Sequence, residues 1–142
     1  MVVRLEFTSA FEMLDFVQVV SDHVGRAIGL DDDGRHYVGV AIRECVINAI
    51  KHGNRNDPGK HVFVEFSTGD SAGDAGGRIL TIRVRDEGEG FDPAAVADPL
   101  APENLLKSSS RGIFLIRSFM DHVEVHRAPE GGMEIRMVKR VP

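Results

Sequence analysis

The 142-residue sequence contains no tryptophan, a single cysteine and no run of basic residues. One thiol, Cys45, excludes an internal disulfide and fits a reducing cytoplasm, the expected location. A formal net charge of −5 without clustered Lys or Arg lacks the footprint of a protein that grips nucleic acid. Charges break every apolar stretch short of the roughly 18 residues that span a membrane. The start, "MVVRLEFTS", has no apolar segment of a secretory signal. The histidines lack the paired spacing of a zinc site, and there is no internal repeat. "DDDG" at 31–34 lacks the alternating ligands and distal Glu of a calcium loop. "GNRNDPGKH" is not a phosphate-binding P-loop: five residues separate its glycines, and Lys60 is followed by His61. What remains is 42% hydrophobic and 27% charged residues, an ordinary globular balance in a chain sized for one domain, 1–142.

Val3, Leu5 and Phe7 alternate with Arg4 and Glu6, which predicts a half-buried strand. Ser9 followed by Glu12 predicts a capping box opening a helix. Its apolar stripe is Phe11, Leu14, Val17, Val20, Val24 and Ile28, and it ends near Gly29. The acidic residues at 31–34 suit the dipole of a second helix, roughly 33–51. Val38, Ile42, Cys45, Val46 and Ala49 form the core face of that helix, with Glu44, Asn48, Lys51 and His52 to another side. "HVFVEFS" and "RILTIRV" read as strands joined by "TGDSAGDAGG", a disordered hairpin tip. The polar "PAAVADPLAPENLLKSSS" holds two short helical pieces at most, and "RGIFLIRSFMD" is a helix. "HVEVHRAPEGGMEIRMVKRV" closes the chain as a hairpin turning at "PEGG". The order β-α-α-β-β-loop-α-β-β predicts an α+β fold, a two-layer sandwich in which helices cover one face of a mixed, mainly antiparallel sheet.

Three segments carry chemistry, and none decides alone. In "IRECVINAIKHGN", Glu44 and Asn48 sit one helical turn apart. A solvated helix face explains that pair; so does a carboxylate that takes a proton beside an amide oxygen that holds Mg²⁺. In "RVRDEGEGFD" a strand runs into Asp86, then Gly88, Gly90 and Phe91. This is either a tight turn or an acceptor-only carboxylate suited to the amino group of an adenine, with glycines that admit a flat ring. In "SSSRGIFLIRSFM", small residues precede an apolar helix whose free N–H groups suit phosphate.

In order and spacing these segments resemble the nucleotide-binding boxes of the GHKL, or Bergerat-fold, ATPase superfamily. "ECVINAIKHGN" looks like the N box, "DEGEGF" like the first glycine box and "RGIFLIRSFMD" like the second. Chain length, "NAIKHGN" and "GIFLIRSFMD" look specifically like the stand-alone anti-sigma-factor serine/threonine kinases of bacteria. The resemblance implies a Bergerat-type sandwich that binds ATP and Mg²⁺ and phosphorylates a small antagonist protein on Ser or Thr. It also implies a protein partner such as a sigma factor, and members are commonly homodimers. By the same resemblance Glu44 is the general base, Asn48 the Mg²⁺ ligand, and His52 with Gly53 the end of the box beside the nucleotide, where Asn54 helps. Asp86 reads the adenine beside Gly88 and Gly90. Residues 92–111 correspond to the lid, whose cations are Lys107 and Arg111. Ser110 stands where the second glycine box has its first glycine, and Gly112 is its second. This departure keeps a second reading open, a non-catalytic, ATP-responsive module that sequesters its partner.

Overall fold

The computed structural model describes residues 1–70, 77–89 and 108–141, with the backbone alone for 108–113. Five strands, β1 (Val2–Thr8), β2 (His61–Asp70), β3 (Arg78–Arg85), β4 (His122–Arg127) and β5 (Met133–Val141), form one sheet in the order β1-β2-β3-β5-β4. Among the described residues every pairing is antiparallel, where the pattern suggested a mixed sheet. Hairpins join β2 to β3 and β4 to β5, and the returns through helices bring each strand back opposite to its neighbour.

Alternation decides which face is covered. Val62, Val64 and Phe66 of β2, Leu80, Ile82 and Val84 of β3, and Met137 of β5 are buried beneath the helices. The opposite face carries Arg4 bound to Glu65 at 2.8 Å and Arg136 near Glu124 at 3.6 Å. Such side chains remain hydrated, so that face needs no second layer.

The helices are α1 (Met13–Ala27), α2 (Asp32–Asn48) and α3 (Ser108–Phe119). The capping box is not formed. Ser9 Oγ instead donates to the Lys60 carbonyl at 3.0 Å and accepts from Asn54 Nδ2 at 2.8 Å. With its hydroxyl committed to these distant partners, Ser9 leaves the helix to begin at Met13, and Phe11 of the expected stripe is exposed. Leu14, Val17, Val24 and Ile28 are buried as expected, and Gly29, at φ +91°, follows the end of α1. Asp31 caps α2, its carboxylate accepting the Gly34 N–H at 2.7 Å. All five predicted core residues of α2 and its continuation are buried.

The end of α2 departs from the pattern expected. Regular α-helix stops at Asn48, and Ala49–Gly53 continue as a π turn. The Asn54 N–H reaches back five residues to the Ala49 carbonyl at 2.8 Å. A π turn holds more residues than an α turn, so His52 is not in line with Glu44 and Asn48. At the loop between β2 and β3, β2 extends to Asp70, and residues 71–76 lie outside the described residues. So do residues 90–107, with the two short helical pieces expected there. The third helix begins at Ser108, three residues earlier than the pattern suggested. The closing hairpin is present, with Gly131 and Gly132 at φ +103° and +83°.

Candidate functional site

The π turn delivers Gly53 onto Asp86, the residue that follows β3. Asp86 is buried, and its carboxylate is held in one orientation. Oδ1 accepts the N–H of Gly88 at 2.9 Å and that of Met133 at 3.1 Å. The Asp86 N–H donates to the Met133 carbonyl at 3.0 Å. No described residue donates to Oδ2, which leaves one carboxylate oxygen with acceptor capacity.

Glycine is required around this carboxylate. A Cβ on Gly53 would stand 2.0 Å from Asp86 Oδ2, and one on Gly88 would stand 2.1 Å from the Gly53 carbonyl oxygen. A Cβ on Gly132 would stand 2.0 Å from the Asp86 carbonyl oxygen. Gly53 and Gly88 belong to the expected site. Gly132 and Met133 were missed, because "PEGG" reads fully as a turn. The turn already demands glycine at 132, where φ is +83°, so the sequence held no separate signal of this contact.

Asn54 supports the site and does not line it. It is fully buried, and Nδ2 donates to Ser9 Oγ at 2.8 Å and to the His61 carbonyl at 2.9 Å. Its Oδ1 accepts the Glu87 N–H at 2.7 Å. With both donors and the acceptor engaged, Asn54 pins the turn after Asp86 to the start of β2.

Glu44 and Asn48 are half-buried on α2, one turn apart. Between them Cys45 is buried, its Sγ 3.4 Å from Met137 Sδ. Burial pushes the Cys45 thiol far above the usual range, and the Glu44 charge adds to the effect, so Cys45 fills the core. The last residue of α3, Phe119, stacks on Tyr37 near the start of α2, with ring centroids 4.8 Å apart. The two helices pack against each other.

The profile of the histidine kinase-like ATPase domain matches residues 8–139. The chain belongs to that family. Its relatives include the anti-sigma F factor of Oceanobacillus iheyensis, 36% identical over 104 residues, covering 70% of this chain and 65% of that protein. The serine-protein kinase RsbW of Staphylococcus epidermidis is 27% identical over 98% of this chain and 86% of its own length. The anti-sigma F factor of Bacillus licheniformis is 26% identical over 97% and 91%. The match to the Oceanobacillus protein thus spans just under two thirds of that relative.

Of the residues the family resemblance singled out, the structure brings Gly53, Asp86 and Gly88 into direct contact, with Asn48 one residue before the π turn. His52 is exposed on that turn. Ser110, Arg111 and Gly112 lie in the opening turns of α3. Gly90 and Lys107 fall outside the described residues. Among the described residues no group of three or more His, Cys, Asp or Glu could hold a metal alone. No described helix is long and apolar enough to cross a membrane.

Proposed function

We propose that this protein is an ATP-dependent protein serine/threonine kinase of the anti-sigma-factor type, acting on a small antagonist protein and binding a partner such as a sigma factor. The observation that carries the reading is the Asp86 carboxylate, with one oxygen saturated, the other unengaged by any described donor, and glycines packed against it. An acceptor so arranged suits the exocyclic amino group of adenine. Its family membership and its relatives named as a serine-protein kinase and as anti-sigma F factors support the same conclusion.

The other residues then take roles along the nucleotide. Free N–H groups at the start of α3 donate to phosphate oxygens, and at least one of Arg111 and Lys107, Arg111 by preference, supplies a cation to them. The amide oxygen of Asn48 is a hard neutral ligand of the kind Mg²⁺ accepts, with phosphates and water completing its shell. Bound there, Mg²⁺ would neutralise charge developing on the phosphates. Glu44, one turn away on α2, accepts the proton of a substrate seryl or threonyl hydroxyl as its oxygen bonds to the terminal phosphorus and the bond to the ADP oxygen breaks.

A transfer assay tests the reading. The protein, Mg²⁺ and ATP labelled in the terminal phosphate are incubated with the small antagonist-like protein of a neighbouring reading frame. Label is expected on a Ser or Thr of that protein. Nucleotide binding without transfer would favour the sequestering module that Ser110 keeps open.

A further inference from the structure

Consecutive residues grip the same turn from opposite faces of the sheet. Asp86 meets Gly132 and Met133 on the helix side. Arg85 projects from the helix-free side, where it lines a groove with Arg4, Phe63, Glu65 and Glu130. Its guanidinium carbon lies 3.9 Å from the centroid of the Phe63 ring, its register partner on β2. From that platform Nη1 approaches the Gly131 carbonyl at 3.5 Å, and Nε lies 3.9 Å from Glu130 Oε2. The Arg85 side chain is only 18% exposed, which strengthens these contacts relative to a free surface pair.

The turn needs such a strut. Gly131 and Gly132 both adopt positive φ, and glycine leaves the backbone its widest choice of alternatives. Yet Met133, the next residue, gives the N–H that occupies Asp86 Oδ1. If the turn drifts, that bond lengthens and the carboxylate is free to rotate.

We infer that Arg85 is a positioning residue for base recognition: stacked on Phe63, it holds the β4–β5 turn so that Met133 and Gly132 fix which oxygen of Asp86 faces the base. This inference rests on the reading that Asp86 receives the base amino group. Arg85 itself touches no nucleotide, so its loss lowers affinity for ATP and ADP by the same factor and leaves the phosphate contacts alone.

The test compares wild type, Arg85→Met, Arg85→Lys and Asp86→Asn by calorimetric titration with ATP and ADP, and by amide hydrogen exchange at Met133. Met keeps the stem over Phe63 and loses the charge and donors. Arg85→Met is expected to weaken both nucleotides about 3- to 10-fold, in line with the loss of one modest interaction. It should also speed Met133 exchange, with Arg85→Lys intermediate in both. A merely structural role would lower the melting temperature and leave affinity and Met133 exchange unchanged where the variant is folded, and that result overturns the inference. Should Arg85→Met fail to fold, Arg85→Lys decides by the same readouts. Normal ATP affinity in Asp86→Asn would instead sink the reading of Asp86, a failure distinct from that of Arg85.

Discussion

Gly53 lies against Asp86 so closely that a Cβ at position 53 would stand 2.0 Å from Oδ2. The contact joins the end of the second helix to the end of the third strand, and it uses the oxygen side assigned to the base. Gly53→Ala must push either the π turn or the carboxylate aside. It is expected to lower ATP affinity at least about 10-fold and stability by about 1–3 kcal/mol, the usual range for overpacking. Calorimetry and thermal melts check both, and a variant with wild-type affinity would mean that the contact is not part of the site.

Gly132→Ala tests the residue that the sequence did not reveal. It meets the Asp86 carbonyl oxygen and also requires φ +83°. A loss of nucleotide affinity similar to that of Gly53→Ala is expected, and a smaller one for Gly131→Ala, which has open space around its Cβ and acts only through the strained turn. Equal affinities in the two variants would remove Gly132 from the site.

Much of this site was legible in the sequence, and the remainder was hidden for identifiable reasons. Asp86 and Gly88 stood out as a strand running into an acid among glycines, a pattern a tight turn also explains, and Gly53 was singled out only by the family resemblance of the helix that it ends. The π turn was hidden because "AIKHG" has ordinary helical composition, and a π turn arises from how the chain must leave the helix. Ser9 misled because a local capping box and a distant bond to Asn54 make the same demand for a hydroxyl. The strands and the core face of α2 were legible because alternation and helical periodicity are local, while the wholly antiparallel order depends on pairings between segments far apart in sequence.

Asn54→Ala removes a buried amide that makes three hydrogen bonds. It leaves the Glu87 N–H without its acceptor. A stability loss of about 2–4 kcal/mol is expected, since each unmet buried group costs about 1–3 kcal/mol. Denaturant unfolding measures it, and a change below 1 kcal/mol (about the net worth of one bond) would contradict the role of Asn54 as the pin of this turn.

Glu44→Gln separates chemistry from binding. ATP affinity should be unchanged and phosphotransfer should fall roughly 10²- to 10⁴-fold, the scale of a lost general base. Single-turnover transfer to the substrate protein gives the rate. Equal rates would return Glu44 to a solvated helix face.

Cys45 provides a pH signature of the core. Its thiol pKa is raised in the folded state by burial first and by Glu44 second. The folded chain therefore keeps its proton where the unfolded chain loses it. Stability from this group is fully present below the unfolded value, about 8.5, and declines as pH rises above it. The stability advantage of wild type over Cys45→Ala should shrink between pH 8 and 10. A constant difference across that range would mean that the thiol is not shielded.

The most direct measurement of the central claim is a titration of ATP into wild type and Asp86→Asn, with GTP as the competitor. In the variant the amide oxygen takes the Gly88 and Met133 N–H groups, which turns its NH₂ towards the base. Donor then faces donor, at a cost of about 1–3 kcal/mol, or roughly 5- to 150-fold in ATP affinity. The account predicts that loss, with discrimination against GTP narrowed because a base carbonyl can accept from the new NH₂. ATP affinity equal in the two proteins, or absent from wild type, would contradict it.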